Sequence, residues 1–117
     1  MDKSKLLIVA MSEQCIALIR NSEKREVELP EVLQPQHLLW MCDQIAHKTD
    51  KWTDLKLHRW LGFIQSGMLA NRMLTFEELK KLIEDTKTSY GVKSDDQDLI
   101  DHLDPHNSFR MDIGGEG

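Results

Sequence analysis

The stretch HRWLGFIQSGMLAN, residues 58–71, decides how this chain is organised. It has the spacing of a helix, although it holds two glycines and a serine and Arg59 is its one formal charge. Five large apolar residues recur at intervals of three and four and form one stripe: Leu57, Trp60, Leu61, Ile64 and Met68. Three small residues recur every four positions on the opposite side: Gly62, Ser66 and Ala70. The pattern predicts a helix over residues 54–71 with packing on both sides.

The two glycines of this helix, Gly62 and Gly67, carry a cost that packing must offset. Glycine in a helix interior is about 1 kcal/mol less favourable than alanine. A line of small side chains lets a second helix backbone approach closely, a geometry best known from membrane helices but not limited to them. We therefore expect helix 54–71 to be the central helix of the fold or an interface between copies of the chain.

Two further helices are predicted before the central one, at residues 4–20 and 36–47. The apolar residues of segment 4–20 fall within one arc of a helical wheel. The alternative is a hairpin that turns at residues 12–14, where Gly, Asn and Asp are lacking, so we favour the helix. Segment 36–47 is amphipathic, but Trp40 lies on its polar side, where an indole needs a cover or a partner.

A fourth helix, residues 75–89, has the clearest start signal in the chain. Thr75 and Glu78 have the spacing of a capping box. Spacing of four residues also predicts two ion pairs along this helix: Glu77 with Lys81, and Lys80 with Glu84. These features make the segment a well-specified scaffold helix.

Length and charge predict one all-α domain with an acidic extension. A chain of 117 residues has room for a single modest core. Residues 94–117 hold seven acids and one base, so their net charge is −6. Because the whole chain has a net charge of −5, residues 1–93 have a net charge of +1. We predict a small bundle of about four helices around the central helix at 1–93, followed at 94–117 by a short acidic helix and a mobile tail.

Membrane and nucleic-acid partners are disfavoured by the same composition. The longest apolar run, Leu6–Met11, is too short to span a bilayer. Helices 54–71 and 75–88 could form a helix-turn-helix in outline, but the second would present four acids to phosphate: Glu77, Glu78, Glu84 and Asp85.

No catalytic residue, metal site or cofactor is predicted. His37, Cys42 and His47 are five residues apart, so they point in different directions on a helix, and Cys15 and Cys42 are expected to be buried free thiols. Residues 6–15 faintly resemble the first helix of the helical nucleotide pyrophosphohydrolases, which bind magnesium through paired acids. Glu13 stands alone on that helix, so this enzyme class is our third hypothesis, without a clear metal site.

The leading hypothesis is a non-enzymatic interaction protein that binds a host or phage protein and forms a homo-oligomer. The residues predicted to make contacts are Trp40, Trp52, Arg59, Gly62, Gln65, Ser66 and Ala70. The alternative is a small-molecule binder for an anion such as a nucleotide phosphate. Its predicted ligand residues are His58, Arg59, Gln65 and Arg72.

Residues 33–82 resemble a group of small helical proteins encoded by bacteriophages and prophages, which carry no assigned activity. The matching positions are Leu33, Pro35, His37, Leu38, Trp40, Met41, Arg59, Trp60, Gly62, Phe63, Gln65, Leu74, Thr75, Glu78 and Leu79. The resemblance covers under half the chain and transfers no catalytic residue. It implies a phage accessory protein that acts in the cytoplasm of the bacterial host.

Overall fold

The computed structural model describes residues 3–23 and 28–91, and within these ranges the chain is all-α, as predicted. Its elements are α1 (Lys3–Asn21), a short 3₁₀ helix (Glu31–Leu33), α2 (Pro35–Lys48), α3 (Asp54–Ala70) and α4 (Phe76–Ser89). No predicted helix end differs from the observed one by more than one residue. The acidic helix and tail predicted for 94–117 lie outside the described residues.

Helix α1 confirms the choice of a helix over a hairpin. Its apolar side chains fall on one face and are buried in the core: Leu7, Ile8, Met11, Cys15 and Ile19. Helices α1, α2 and α3 each pack against the other two, and α4 packs mainly against α1. Because α3 has seven buried residues along its length, it is a central element of this bundle.

The start of each later helix follows from its local sequence. Pro35 is the first residue of α2, where its missing N–H removes no helix bond. The Thr53 hydroxyl accepts a hydrogen bond from the Lys56 N–H and caps α3. At α4 the predicted capping box is confirmed. The Glu78 N–H donates to Thr75 Oγ1 over 3.1 Å, and the Thr75 N–H donates to Glu78 Oε1 over 2.7 Å.

The end of α3 is a Schellman motif without its usual glycine. The N–H of Met73 donates to the carbonyl of Met68, and the N–H of Arg72 donates to the carbonyl of Leu69, each over 3.0 Å. Arg72 occupies the left-handed position of this motif with φ 59°. An L side chain disfavours that conformation by about 1–2 kcal/mol relative to the right-handed one.

Asn71 joins the end of α3 to the segment before α2. Its Nδ2 donates to the carbonyl of Leu33 and to the carbonyl of Gly67, over 2.7 Å in both cases. The side chain is buried, so these bonds replace contacts with water. The bond to Leu33 holds the segment before α2, which we call the connector, against the end of α3.

At Gly67 the backbone of α3 lies close to a side chain of α2. A Cβ built at Gly67 would stand 2.6 Å from Cδ2 of Leu38, and Leu38 is fully buried. Any larger residue there needs the Leu38 side chain to move within the packed core. The expectation that a glycine on α3 makes room for packing is thus met at position 67.

One predicted ion pair of α4 is replaced by another. Lys81 Nζ lies 3.1 Å from Asp85 Oδ2, whereas the sequence predicted pairing with Glu77. Both acids are one turn from Lys81, but Glu77 lies in the first turn of α4, where the helix dipole already stabilises a carboxylate. The Lys80 ammonium, predicted to pair with Glu84, lies 5.6 Å from the centre of the Phe76 ring.

Candidate contact surface

Three tryptophans from different parts of the chain form a continuous aromatic cluster. The Trp40 ring of α2 lies 5.8 Å from the Trp60 ring of α3, centroid to centroid, at a tilt of 44°. Trp52, in the loop between these helices, lies 4.5 Å from Trp60 at 52°. Both geometries are within the range of favourable aromatic pairs. We call Trp40, Trp52 and Trp60 the aromatic cluster. Through Trp60 it connects the loop between α2 and α3 with both helices.

The two ends of the aromatic cluster differ in exposure. Trp52 is half-buried, and the Lys56 ammonium lies 4.2 Å from the centre of its ring, in cation–π geometry. Trp40 keeps 49% of its surface exposed although it also contacts His37, 5.4 Å away. The prediction that Trp40 lies on a solvated face is confirmed. The described residues cover only about half of the Trp40 side chain.

One side of α3 faces outward and is rich in apolar surface. We call it the outward face and define it by five residues: Leu55, Arg59, Phe63, Ser66 and Ala70. The first four are exposed and the last is half-buried. Leu55 is 61% exposed and Phe63 is 38% exposed. Since Trp60 lies one turn before Phe63 and also touches Trp40, the outward face and the aromatic cluster are continuous.

The predicted contact residues separate into two groups. Trp40, Arg59 and Ser66 are exposed, and Trp52 and Ala70 are half-buried, so all five lie where a partner can reach them. Gly62 and Gln65 are buried, and only 1% of the Gln65 surface is exposed. Of the three small residues that recur every four positions on α3, Gly62 is therefore buried, whereas Ser66 and Ala70 are accessible.

Of the residues predicted to bind an anion, Arg72 lines an open cleft at the turn between α3 and α4. The lining residues of this cleft are Leu69, Arg72, Met73, Leu74, Thr75, Phe76 and Glu78. Gln65 is buried and His58 is half-buried. The Glu78 carboxylate in the same cleft would repel an anion that Arg72 attracts.

The two thiols are arranged to remain protonated. Cys15 and Cys42 are free and buried in the shared core of α1 and α2. Burial raises the pKa of Cys42 to about 11. Burial raises the pKa of Cys15 further, and the neighbouring Cys42 adds to the increase. Since the thiolate is the nucleophilic form, neither group is activated at neutral pH.

In residues 3–23 and 28–91 no three His, Cys, Asp or Glu side chains come together as metal ligands would. His37 contacts Trp40, Cys42 is buried, and His47 bonds back to the carbonyl of Asp43, so the three point apart. Within the same residues, no helix combines the length and the apolar character needed to cross a bilayer.

Leu55 and Phe63 were not among the contact residues predicted from the sequence. Their signal was present, because Leu55, Arg59 and Phe63 are four residues apart and so form a ridge beside the small residues. Only exposure in the fold shows that this large-residue ridge has no cover among the described residues.

Comparisons of the chain with protein-family models, with curated proteins and with solved structures found no match.

Proposed function

We propose that this chain is a non-enzymatic interaction protein that binds a protein partner through the outward face of α3 and the adjoining aromatic cluster. The observation that carries the proposal is the exposure of Leu55, Phe63 and Trp40 on adjoining helices. A single exposed apolar side chain is ordinary, but several on one surface are typical of interaction sites. Arg59 lies between Leu55 and Phe63 and supplies a charge that can fix orientation.

The residue types on this surface support binding of a protein. Tryptophan and arginine are enriched among the residues that dominate the binding energy of interfaces. Trp40 offers a rigid ring held from beneath by Trp60, so little side-chain entropy is lost when a partner covers it. As part of the same proposal, the resemblance of residues 33–82 to phage proteins suggests a regulatory role in the bacterial cytoplasm.

Anion binding is the second candidate, and one observation favours it. Arg72 is exposed, is held by the Schellman motif in a left-handed conformation, and borders an open cleft. A non-glycine residue retained in that conformation can indicate a functional constraint. The carboxylate of Glu78 in the cleft weighs against this candidate.

Affinity capture from bacterial lysate tests the leading proposal. The full chain is compared with Trp40→Ala and Arg59→Ala, and with Thr88→Ala as a control at an exposed position on α4. We expect a retained protein to bind the control normally and to bind Trp40→Ala at least about tenfold less, the loss typical of an interface hot spot. Thermal unfolding of each variant verifies that the fold is intact. Equal capture by all four proteins would contradict the proposal.

A further inference from the structure

We propose that the occupant of the outward face is a second copy of this chain, with the two α3 helices antiparallel about a twofold axis. The axis lies between residues 62 and 63. This inference rests on the proposed function, because it names the partner of the same surface. Closed dimers of identical chains use one self-complementary patch, so the face must fit itself when rotated by half a turn.

Side-chain size on α3 has the required self-complementarity. In this register two residues face each other when their numbers add to 125. Leu55 of one copy then faces Ala70 of the second copy, and Arg59 faces Ser66. Each large exposed side chain meets a small one, and the twofold axis repeats both pairs. Large residues against small ones let two helices interdigitate without voids.

The centre of the register is occupied by one aromatic residue from each copy. Phe63 lies next to the axis, so the two Phe63 rings adjoin across it, and aromatic rings favour offset or edge-to-face contact. Gly62 is buried beneath this position and adds no bulk between the helices. Each Phe63 keeps 38% of its surface exposed in the single chain, which is the surface such a contact would cover.

Charge favours the antiparallel over the parallel arrangement. Parallel helices in register would set Arg59 against Arg59 and Lys56 against Lys56, which is unfavourable. In the antiparallel register Lys56 lies level with the last turn of the second copy's α3, where the helix dipole attracts a cation. The two arginines are separated by about 10 Å along the helix direction. The face can therefore meet itself without opposing like charges.

The size of the face predicts a weak dimer. Helix α3 has 17 residues, so it is about 25 Å long at 1.5 Å per residue. A single pair of helices of this length covers less than the roughly 800 Å² per partner that is typical of stable complexes. We therefore expect monomer and dimer to exchange at micromolar to millimolar concentrations.

Sedimentation equilibrium of two charge variants tests the register. Ser66→Glu places a carboxylate opposite Arg59 of the second copy, and Ser66→Lys places an ammonium there. Position 66 is seven residues from Arg59 in its own chain, outside the spacing at which helix side chains pair. We expect Ser66→Glu to raise the association constant about tenfold, from two new ion pairs per dimer, and Ser66→Lys to lower it by a similar factor.

Three controls separate this effect from general charge effects. Thr88→Glu makes the same charge change at an exposed site of α4 and should leave association unchanged. Arg59→Ala combined with Ser66→Glu should lose the gain, and high salt should reduce it. If the chain self-associates but both Ser66 variants act alike, the antiparallel register is overturned. If the chain stays monomeric at millimolar concentration, the inference is overturned, while the capture experiment still decides the proposed function.

Discussion

Gly67 shows at the scale of a single residue how packing selects an amino acid. The sequence marks both Gly62 and Gly67 as unusual in a helix, since each costs about 1 kcal/mol relative to alanine. Only the fold shows which atoms need the space, because Leu38 lies 29 residues earlier in the chain. Sequence periodicity assigns a residue to a face, but it does not give the side chain that meets it across two helices.

Alanine at position 67 should therefore destabilise the protein even though alanine favours helices. The new Cβ would lie 2.6 Å from Leu38, and overpacking of this kind costs about 1–3 kcal/mol. Alanine recovers about 1 kcal/mol of this through its higher helix propensity. We therefore expect a net loss of up to about 2 kcal/mol in the free energy of unfolding, measured by urea denaturation. Ser66→Ala, at the exposed neighbouring position, should change stability by less than about 0.5 kcal/mol.

The cause of this loss is tested by a double-mutant cycle with Leu38→Ala. Removing the Leu38 side chain removes the clash, so Gly67→Ala should cost nothing in that background. An unchanged cost for Gly67→Ala in the Leu38→Ala protein would show that the close approach of α2 and α3 is not the reason for glycine.

At the scale of whole helices, local signals in the sequence located most ends correctly. The Thr75 capping box and Pro35 at the start of α2 use hydrogen bonds or backbone constraints within a few residues, so the sequence contains all the information needed. The end of α3 is different. Asn71 and Arg72 replace the expected glycine signal, and one partner of Asn71 is the carbonyl of Leu33, 38 residues away. A hydrogen bond between residues so far apart in the chain could not be predicted from the sequence around Asn71.

Replacement of Asn71 by alanine should loosen the link between α3 and the connector. The substitution removes the donor to the Leu33 and Gly67 carbonyls, and buried hydrogen bonds that lose a partner cost about 1–3 kcal/mol. We expect the free energy of unfolding in urea to fall by about 1–2 kcal/mol. Asn21→Ala, at the exposed end of α1, is the matched control and should be nearly neutral. A loss below about 0.5 kcal/mol for Asn71→Ala would mean that the link contributes little to stability.

At the scale of the whole molecule, the bundle was easier to predict than the surface it presents. The helical period of the apolar residues was enough to predict the core, because the apolar face of a helix generally packs toward the interior of the bundle. The contact surface depends on what remains uncovered after α1, α2 and α3 have packed. For that reason Trp40 and Arg59 were identified from their positions on predicted helices, whereas the exposure of Leu55 and the burial of Gly62 required the fold.

The two sides of α3 have different roles under the proposed function. One side of this helix supplies the middle of the core, and the other side has an exposed, self-complementary pattern of large and small residues. Stability and association are therefore separable, since substitutions at exposed positions of the outward face should leave the core intact.

The most direct test of this central claim is a set of amide NMR spectra of the unmodified chain from micromolar to millimolar concentration. We expect shifts that grow with concentration at the outward face, centred on Arg59, Phe63 and Ser66, because these groups enter the dimer contact. The exposed residues of α4, such as Thr88, should not change. Spectra that are identical at all concentrations, or shifts confined to α4, would contradict the account.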